Sequence, residues 1–262
     1  MPAVLFEKKG HIAYITLNRP EAFNYINKEV WELSTEAWIK VRDDNDIWVA
    51  ILTGAGEKAF CAGADLKEMS GVFQEAIKSG RPPALPVPAI HPGKGLEVYK
   101  PFIAAINGVA LGGGLELALA CALRIAAEHA RLGTPEVKQG IIPTAGATQR
   151  IPRQVPWALA MQLLLVGEPV SAQEAYRMGL VNQVVPLKDL MPAAEALANR
   201  INENGPIAVR GAKEAAYRGV RMSLEDGLKF EEYCSANVIK SEDAIEGPKA
   251  FSEKRKPVYK CK

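Results

Sequence analysis

The sequence predicts an α/β protein in which alternating strands and helices are followed by a helical C-terminal layer. Short apolar runs bounded by turn residues alternate with amphipathic segments over the first half, and beyond Gly146 apolar residues recur at helical spacing. The 262 residues are 48% hydrophobic and 24% charged, which is typical of a globular chain. A chain of this length buries enough surface to form a core without disulfides or metal ions.

The chain opens with a predicted hairpin and a helix. Residues 3–7 and Ile12–Leu17 flank a polar turn, and apolar side chains alternate along the second run. Asn27 can cap a helix whose apolar positions follow three- and four-residue spacing: Val30, Leu33, Ala37 and Val41. Residues 47–52 then form a short buried strand, which ends at the turn 53–56.

A proline-rich segment interrupts this alternation. Residues 80–95 contain five prolines: Pro82, Pro83, Pro86, Pro88 and Pro92. Because proline is excluded from helix interiors and central strands, we predict a surface loop here. A strand over 101–106 follows, glycines 112–114 break it, and 115–121 begin a helix before another strand at Leu123–Ala127.

The second half of the chain is predicted to be helical. Only residues 180–185 resemble a strand there. Six segments carry apolar residues at helical spacing: 157–165, Ala172–Arg177, 187–201, 207–220, Leu224–Ile239 and 242–254.

The charge and cysteine content exclude several classes of protein. The 32 Lys and Arg against 30 Asp and Glu give a net charge of +2, and the basic residues are dispersed, so a nucleic-acid surface is not expected. No apolar stretch is long enough for a membrane span, and the first residues do not resemble a signal peptide. Four isolated cysteines favour neither disulfides nor a metal site and predict a cytoplasmic protein: Cys61, Cys121, Cys234 and Cys261.

Two weaker patterns have more ordinary interpretations. The turn 53–56, Thr-Gly-Ala-Gly, resembles the start of a dinucleotide-binding loop, but Ala59 stands where its third glycine belongs. No phosphate-binding P-loop is present. The three histidines, His11, His91 and His129, stand singly and suggest no catalytic triad.

Two glycine- and alanine-rich junctions carry the strongest signal. Residues 61–69 and 106–117 both lead from a strand into a helix, where unpaired backbone N–H groups favour negative charge. Three successive glycines, 112–114, cost conformational entropy, which close approach of the backbone to another group would offset. Two such junctions can converge on one oxygen, although a loose loop before a helix is the alternative.

Two glutamates lie near the second junction. Glu116 falls just inside the helix after the glycines, and Glu136 follows Gly133-Thr134-Pro135. Burial raises the pKa of a carboxyl group, and two carboxyls in one site separate each other's protonation, so one can act as an acid and one as a base. A buried glutamate can also be a structural hydrogen-bond partner, but beside a pair of N–H donors we favour catalysis.

With these motifs the chain resembles the enoyl-CoA hydratase (crotonase) family. The likeness runs from 15–20, Ile-Thr-Leu-Asn-Arg-Pro, to 251–257, and it is most specific over 62–69, 104–117 and 134–150. The resemblance implies a spiral of β-β-α turns over residues 1–200 and a helical region for trimerisation over 201–262. It further implies a homotrimer or homohexamer with no membrane or nucleic-acid partner.

The resemblance also implies the reaction and its residues. The N–H groups of Ala64 and Gly113 would hold the thioester oxygen of an acyl-CoA, Glu116 would activate water for attack at Cβ, and Glu136 would protonate Cα. The product of this syn hydration of a 2-enoyl-CoA is a 3-hydroxyacyl-CoA. No metal or cofactor is implied, because coenzyme A is part of the substrate. Further substrate contacts are expected from Lys58, Ala62, Asp65, Leu66, Lys67, Gly112 and Lys254.

Some features leave the activity open within the family. The family's usual Gly-Gly-Thr-Gln-Arg reads Gly146-Ala147-Thr148-Gln149-Arg150 here, and a loop over 70–99 is expected to wall the acyl pocket. Residues 241–248 are similar to carnitinyl-CoA dehydratase, which acts on a specialised acyl group. A Δ3-Δ2-enoyl-CoA isomerase would need only a base at Glu136, and a noncatalytic member that binds acyl-CoA or RNA would use the scaffold alone.

Overall fold

The computed structural model describes residues 1–81 and 96–262, with backbone only at 66–69, 72, 73 and 76. Its strands are β1 (Val4–Lys9), β2 (Ile12–Leu17), β3 (Val49–Gly54), β4 (Ala59–Cys61), β5 (Phe102–Ile106), β6 (Val109–Leu111), β7 (Leu123–Ala127), β8 (Arg131–Gly133), β9 (Val170–Ser171) and β10 (Gln183–Val185). They form a six-stranded sheet in the order β1-β2-β3-β5-β7-β10 and a four-stranded sheet in the order β4-β6-β8-β9. All pairs are parallel except β1 with β2 and β8 with β9.

The helices of the described chain fill the connections and the C-terminal region. They are α1 (Lys28–Asp43), α2 (Leu66–Ser79), α3 (Gly113–Ala120), α4 (Ala147–Gln154), α5 (Trp157–Val166), α6 (Ala172–Arg177), α7 (Leu190–Asn202), α8 (Pro206–Gly219), α9 (Leu224–Ile239) and α10 (Glu242–Ser252). Short 3-10 helices lie at Pro20–Ala22, Pro135–Gln139 and Leu187–Asp189. No helix of the described residues is long and apolar enough to cross a membrane.

Three successive turns of the chain give one strand to each sheet. β3 is followed by β4 and α2, β5 by β6 and α3, and β7 by β8 and the 3-10 helix Pro135–Gln139. This is the spiral of β-β-α turns that the resemblance implied. The turns begin at Val49, Phe102 and Leu123, so their lengths are unequal and no fixed sequence period results.

Both faces of the six-stranded sheet are buried at its central strands β3, β5 and β7, which explains the continuous apolar runs in these strands. Ile51, Ile103 and Ile125 pack against Leu190 and Ala194 of α7 on one face. The alternate positions of the same strands face the main core, with Trp38 of α1 and the helix α3: Ala50, Leu52, Ala104, Ile106 and Ala126. The period of two along each strand thus serves two cores at once.

Several predicted elements are confirmed and others are corrected. Asn27 caps α1, its Oδ1 accepting a hydrogen bond of 2.9 Å from Val30 N. β4, β6 and β8 were not predicted, because three residues are too few for an alternating pattern. The helix α3 begins at Gly113 rather than at residue 115, since Gly112 adopts a φ of +52° as its cap. Residues 70–79 belong to α2 rather than to a loop, and residues 82–95 of the predicted acyl-pocket wall lie outside the described chain.

Packing accounts for the glycine turn after β3. Asn107 Oδ1 accepts a hydrogen bond from Gly54 N (3.1 Å), and its Nδ2 donates to Gly56 O (2.7 Å) and Ala59 O (3.1 Å). Asn24, which is fully buried, also donates to Ala59 O, at 2.8 Å. The resemblance of this turn to a dinucleotide-binding loop therefore needs no ligand to explain it.

The helix α8 is joined to the spiral by buried charged side chains. Lys213 donates to the carbonyl oxygens of Val98 (3.2 Å) and Lys100 (2.9 Å), just before β5. Lys100 is itself 3% exposed and donates to the carbonyls of Val41 and Asp44 at the end of α1. Burial lowers the pKa of both lysines to about 8. The division at residue 200 stays a prediction.

Candidate active site

The candidate site lies where the parallel strands of the four-stranded sheet end. β4 leads into residues 62–65, β6 into the glycines 112–114, and β8 into the 3-10 helix that carries Glu136. The carboxyl ends of parallel strands meet at one edge of a sheet, which is where α/β proteins bind their ligands. The fold thus collects into one place three segments that are far apart in the sequence.

The first segment presents the backbone N–H of Ala64. Ile26 and Ala64 form an isolated parallel bridge, in which Ile26 N donates to Gly63 O (2.8 Å) and Asp65 N donates to Ile26 O (3.1 Å). Because the bonds of such a bridge use the neighbours of Ala64, its own N–H points away from Ile26. Gly63 adopts a φ of +103°, a conformation that favours glycine, and so allows this turn.

The second segment presents the N–H of Gly113. Gly113 is the first residue of α3, where backbone N–H groups have no acceptor within the helix. A Cβ added to Gly113 would lie 3.6 Å from Ala64 N, and one added to Gly63 would lie 3.4 Å from Gly113 N. The two N–H groups are therefore close neighbours, and their function as a pair of donors stays a prediction.

Close approach explains Gly112 and Gly114 among the three glycines. A Cβ on Gly112 would lie 2.9 Å from Glu136 Oε1, and one on Gly114 would overlap the carbonyl oxygen of Cys61. A Cβ added to Gly113 would lie 3.4 Å from the Ile26 side chain, which is an ordinary contact distance. Side chains at these positions would separate the two junctions or displace Glu136.

Glu116 is deeply buried but well supplied with partners. It lies one turn into α3, is 4% exposed, and its Oε1 accepts a 2.9 Å hydrogen bond from Ala147 N at the start of α4. Burial raises the pKa of Glu116 above its ordinary value, whereas the N–H groups of residues 145–147 and the charge of Arg150 oppose the rise. A helix N-terminus favours an anion, so this site supports the ionised carboxylate.

Glu136 has the opposite environment. Its Oε2 is buried and has no hydrogen-bond partner in the part of the chain that the structure describes. Burial raises the pKa of Glu136 to about 7, and the charge of Glu116 adds to the rise. A carboxyl group of this kind is about half protonated at neutral pH and largely protonated below it. The site therefore brings together a hydrogen-bonded carboxyl group at Glu116, a carboxyl group with a raised pKa at Glu136 and two neighbouring backbone N–H groups.

The other predicted substrate contacts are less closely grouped. Ala62 and Asp65 lie in the first junction, where Ala62 N donates to Phe23 O (3.1 Å). Lys58 is exposed in the turn before β4, and the side chains of Leu66 and Lys67 lie outside the described ones. Lys254 follows α10 and makes no side-chain hydrogen bond or ion pair within the described chain. No contact of the described residues links Lys254 to the candidate site.

The groups that stabilise the Glu116 carboxylate were not predicted from the sequence. Ala147 N and Arg150 act from α4, a helix that was not predicted, and nothing in the residue types of 146–150 announces a contact with a glutamate 31 positions earlier. Ile26 was missed for a similar reason, since it contributes a backbone bridge rather than a side chain. A glycine followed by a helix is the one local signal at 146–147. Among the described residues no group of His, Cys, Asp and Glu could hold a metal ion.

Comparisons with known proteins identify the family of this chain. The family profile described as Enoyl-CoA hydratase/isomerase matches residues 7–262. The (E)-benzylidenesuccinyl-CoA hydratase of Thauera aromatica is 44% identical over 267 residues, covering 99% of each chain, and the carnitinyl-CoA dehydratase of Salmonella agona is 40% identical over 261 residues, covering 97% of this chain and 96% of that one. The crystal structure of enoyl-CoA hydratase from Bacillus anthracis has a TM-score of 0.91 at 43% identity, covering 99% of this chain and 100% of the other. The resemblance seen in the sequence is confirmed, and the chain belongs to the enoyl-CoA hydratase/isomerase family.

Proposed function

We propose that this protein catalyses the reversible syn hydration of a 2-enoyl-CoA to a 3-hydroxyacyl-CoA. The observation that carries the proposal is the unequal pair of carboxyl groups beside two N–H donors. Hydration needs one group that removes a proton from water and another that gives a proton to carbon. Glu116, whose carboxylate receives an N–H from Ala147, is assigned the first function, and Glu136, whose pKa is raised to about 7, is assigned the second.

The thioester oxygen binds between the N–H groups of Ala64 and Gly113. When the water oxygen bonds to Cβ, the electron pair of the double bond moves onto this oxygen and forms an enolate. Each fixed donor aimed at the developing charge is worth about 3–4 kcal/mol. Glu116 takes the proton from the attacking water, and Glu136 delivers its proton to Cα as the enolate collapses. Exchange of one proton restores both carboxyl groups, so no cofactor besides the coenzyme A of the substrate takes part.

The acyl group is left to experiment, because the relatives differ in it. One matched relative is named for benzylidenesuccinyl-CoA and another for carnitinyl-CoA. Both are coenzyme A thioesters, which supports a 2-enoyl-CoA as the substrate class here. Gly112, Ala62, Asp65 and Leu66 are proposed to surround the thioester end of the substrate.

The decisive experiment follows the loss of the thioester C=C absorbance. Wild-type protein is assayed on a panel of short, long, branched and cyclic 2-enoyl-CoAs, together with Glu116→Gln and Glu136→Gln. Hydration by the wild type and its loss in both variants support the proposal. Double-bond migration that persists in Glu116→Gln without hydration would identify an isomerase. Binding without turnover on the whole panel would identify a noncatalytic member.

Three lysines are proposed to meet the phosphates of coenzyme A: Lys58, Lys67 and Lys254. Changing each to alanine should raise KM for a CoA thioester, most strongly at low salt, and leave the pantetheine thioester, which lacks the nucleotide, unaffected. Lys188, exposed beside α7, provides the control substitution. Equal effects on both thioesters would contradict a phosphate contact.

A homotrimer or homohexamer is proposed on the basis of exposed apolar side chains. Leu224, Ile245 and Phe251 are 80%, 71% and 87% exposed in the single chain, and an apolar groove of about 640 Å³ lies between α8 and α9. Surfaces of this kind mark interfaces. Light scattering should give three or six times the chain mass, and a single-chain mass would contradict the interface.

A cytoplasmic location is also proposed. The free thiols of all four cysteines fit a reducing compartment.

A further inference from the structure

Arg150 lies close behind the support of Glu116. Its backbone N donates to Gly146 O (2.8 Å) in the first turn of α4, and its Nη1 donates to Ala145 O (3.1 Å) in the loop before the helix. The guanidinium group therefore folds back over the residues whose N–H groups face Glu116. Gly146 adopts a φ of +115° at this point, so the loop makes a sharp turn immediately before the N–H of Ala147.

The same guanidinium lies alongside α3, the helix that carries Glu116. Burial lowers the pKa of Arg124, whose side chain binds the last carbonyl groups of α3, and the charge of Arg150 lowers it further. Arg150 also opposes the rise that burial causes in the pKa of Cys121. Arg150 is thus close to both ends of the Glu116 support: the helix from which the side chain comes and the loop that binds its carboxylate.

We propose that Arg150 is a positioning residue for proton transfer at Glu116. Its guanidinium holds the Ala145 carbonyl, so that the N–H groups opening α4 point at the Glu116 carboxylate, and its positive charge favours the ionised form of that group against the effect of burial. This inference rests on the proposed function, in which Glu116 is the base. It attributes to Arg150 the difference in electrostatic environment between Glu116 and Glu136, because no cation acts on Glu136 in the described chain.

The sign of the expected effect follows from the charge. Removing the cation raises the pKa of Glu116, and a base works only when it is ionised. The acidic limb of the kcat/KM profile should therefore move to higher pH. The alkaline limb, which depends on Glu136, should move little.

The experiment compares Arg150→Gln, Arg150→Lys and Arg153→Gln over the full pH range. Arg153 lies on the same helix, is exposed and hydrogen-bonds Gln149 alone among the described residues, so its loss serves as the matched control. We expect the acidic limb of Arg150→Gln to shift upward by about one pH unit, as expected for the loss of a neighbouring charge. Arg150→Lys keeps the positive charge but loses the planar guanidinium group. The acidic limb should therefore stay at its wild-type pH, while kcat should fall about tenfold. Arg153→Gln should match the wild type.

Two results would overturn the proposal. If kcat falls equally at all pH values and the acidic limb does not move, Arg150 only stabilises the structure of α4. If Arg150→Gln does not fold, Arg150→Lys decides the matter. A wild-type kcat and pH profile in Arg150→Lys would show that the guanidinium group is dispensable. A carbon-13 NMR titration of the Glu116 carboxyl in substrate-free protein gives the same comparison without activity. An inactive wild type would therefore refute the proposed function and still leave Arg150 tested.

Discussion

Glu116 and Glu136 are the same residue type at the same sheet edge, yet they are prepared for opposite tasks. Glu116 is 4% exposed but receives an N–H from α4 and the field of Arg150, whereas Glu136 is partly exposed and its buried oxygen has no partner among the described residues. Depth alone would make Glu116 the acid. The comparison shows that burial raises the pKa of both carboxyl groups, while N–H donors and the charge of Arg150 oppose the rise at Glu116 and the charge of Glu116 adds to it at Glu136.

The largest expected effect comes from removing both carboxyl groups. Glu116→Gln and Glu136→Gln should each lower kcat about 10²- to 10⁴-fold with little change in substrate affinity, because each loses one proton transfer. The double variant should lose far less than the product of the two, since the groups act on one transition state. Steady-state kinetics of the three variants measure this. Multiplicative losses would mean that the two glutamates act independently.

A methyl group at Gly112 should disturb Glu136 and spare Glu116. The added Cβ would meet Glu136 Oε1 at 2.9 Å in a backbone with φ of +52°, so we expect Gly112→Ala to lower kcat by about 10²-fold through loss of the acid. Gly179 has a similar φ of +77° and open space around its missing Cβ, which makes Gly179→Ala the control for backbone strain. Equal losses of activity in the two variants would show that strain alone is responsible.

The missing partner of Glu136 should also cost stability at high pH. The folded-state pKa of about 7 exceeds the ordinary value of 4.5, so the folded protein loses stability as pH rises from 4.5 to 7. Glu136→Gln carries no charge and should be about 1–2 kcal/mol more stable than wild type at pH 8, because water around this half-buried group screens part of the effect. Near pH 4 the gain should vanish. Urea unfolding at the two pH values measures the difference, and an equal gain at both would contradict the charge as its cause.

The smallest effect is the shape of the pH profile itself. Hydration requires a protonated Glu136, so kcat/KM should fall about tenfold for each pH unit above 7. On the acidic side it should fall as Glu116 takes up a proton, at a pH above the ordinary glutamate range. Initial rates across the range test both limbs, which belong to the pair as coupled groups. A flat profile from pH 5 to 9 would refute this division of roles.

The residue types reveal the site better than they reveal its support. Gly112–Gly114 and the two glutamates stand out in the sequence because glycine runs and buried carboxyl groups are costly and need a compensating contact. Asn27 and the long apolar strands are equally visible, since capping and burial leave local patterns. Arg150 and Ala147 leave none, because their contacts with Glu116 depend on how α4 packs against α3. Lys100 and Lys213 mislead in the other direction, because they are charged residues that the fold uses for packing: Lys100 is buried, and Lys213 is half-buried where α8 meets the chain before β5.

The unequal length of the β-β-α turns has an evolutionary consequence. The first turn, from Val49 to the start of β5, is more than twice as long as the second, yet both place their strands in the same parallel register. Doubling the length of a connection costs only about 0.6 kcal/mol in loop closure. Insertions and deletions between β4 and β5 can therefore accumulate under selection for a new acyl group while the ends of β4, β6 and β8 stay unchanged. Substrate range and chemical mechanism can then diversify as separate traits within one lineage.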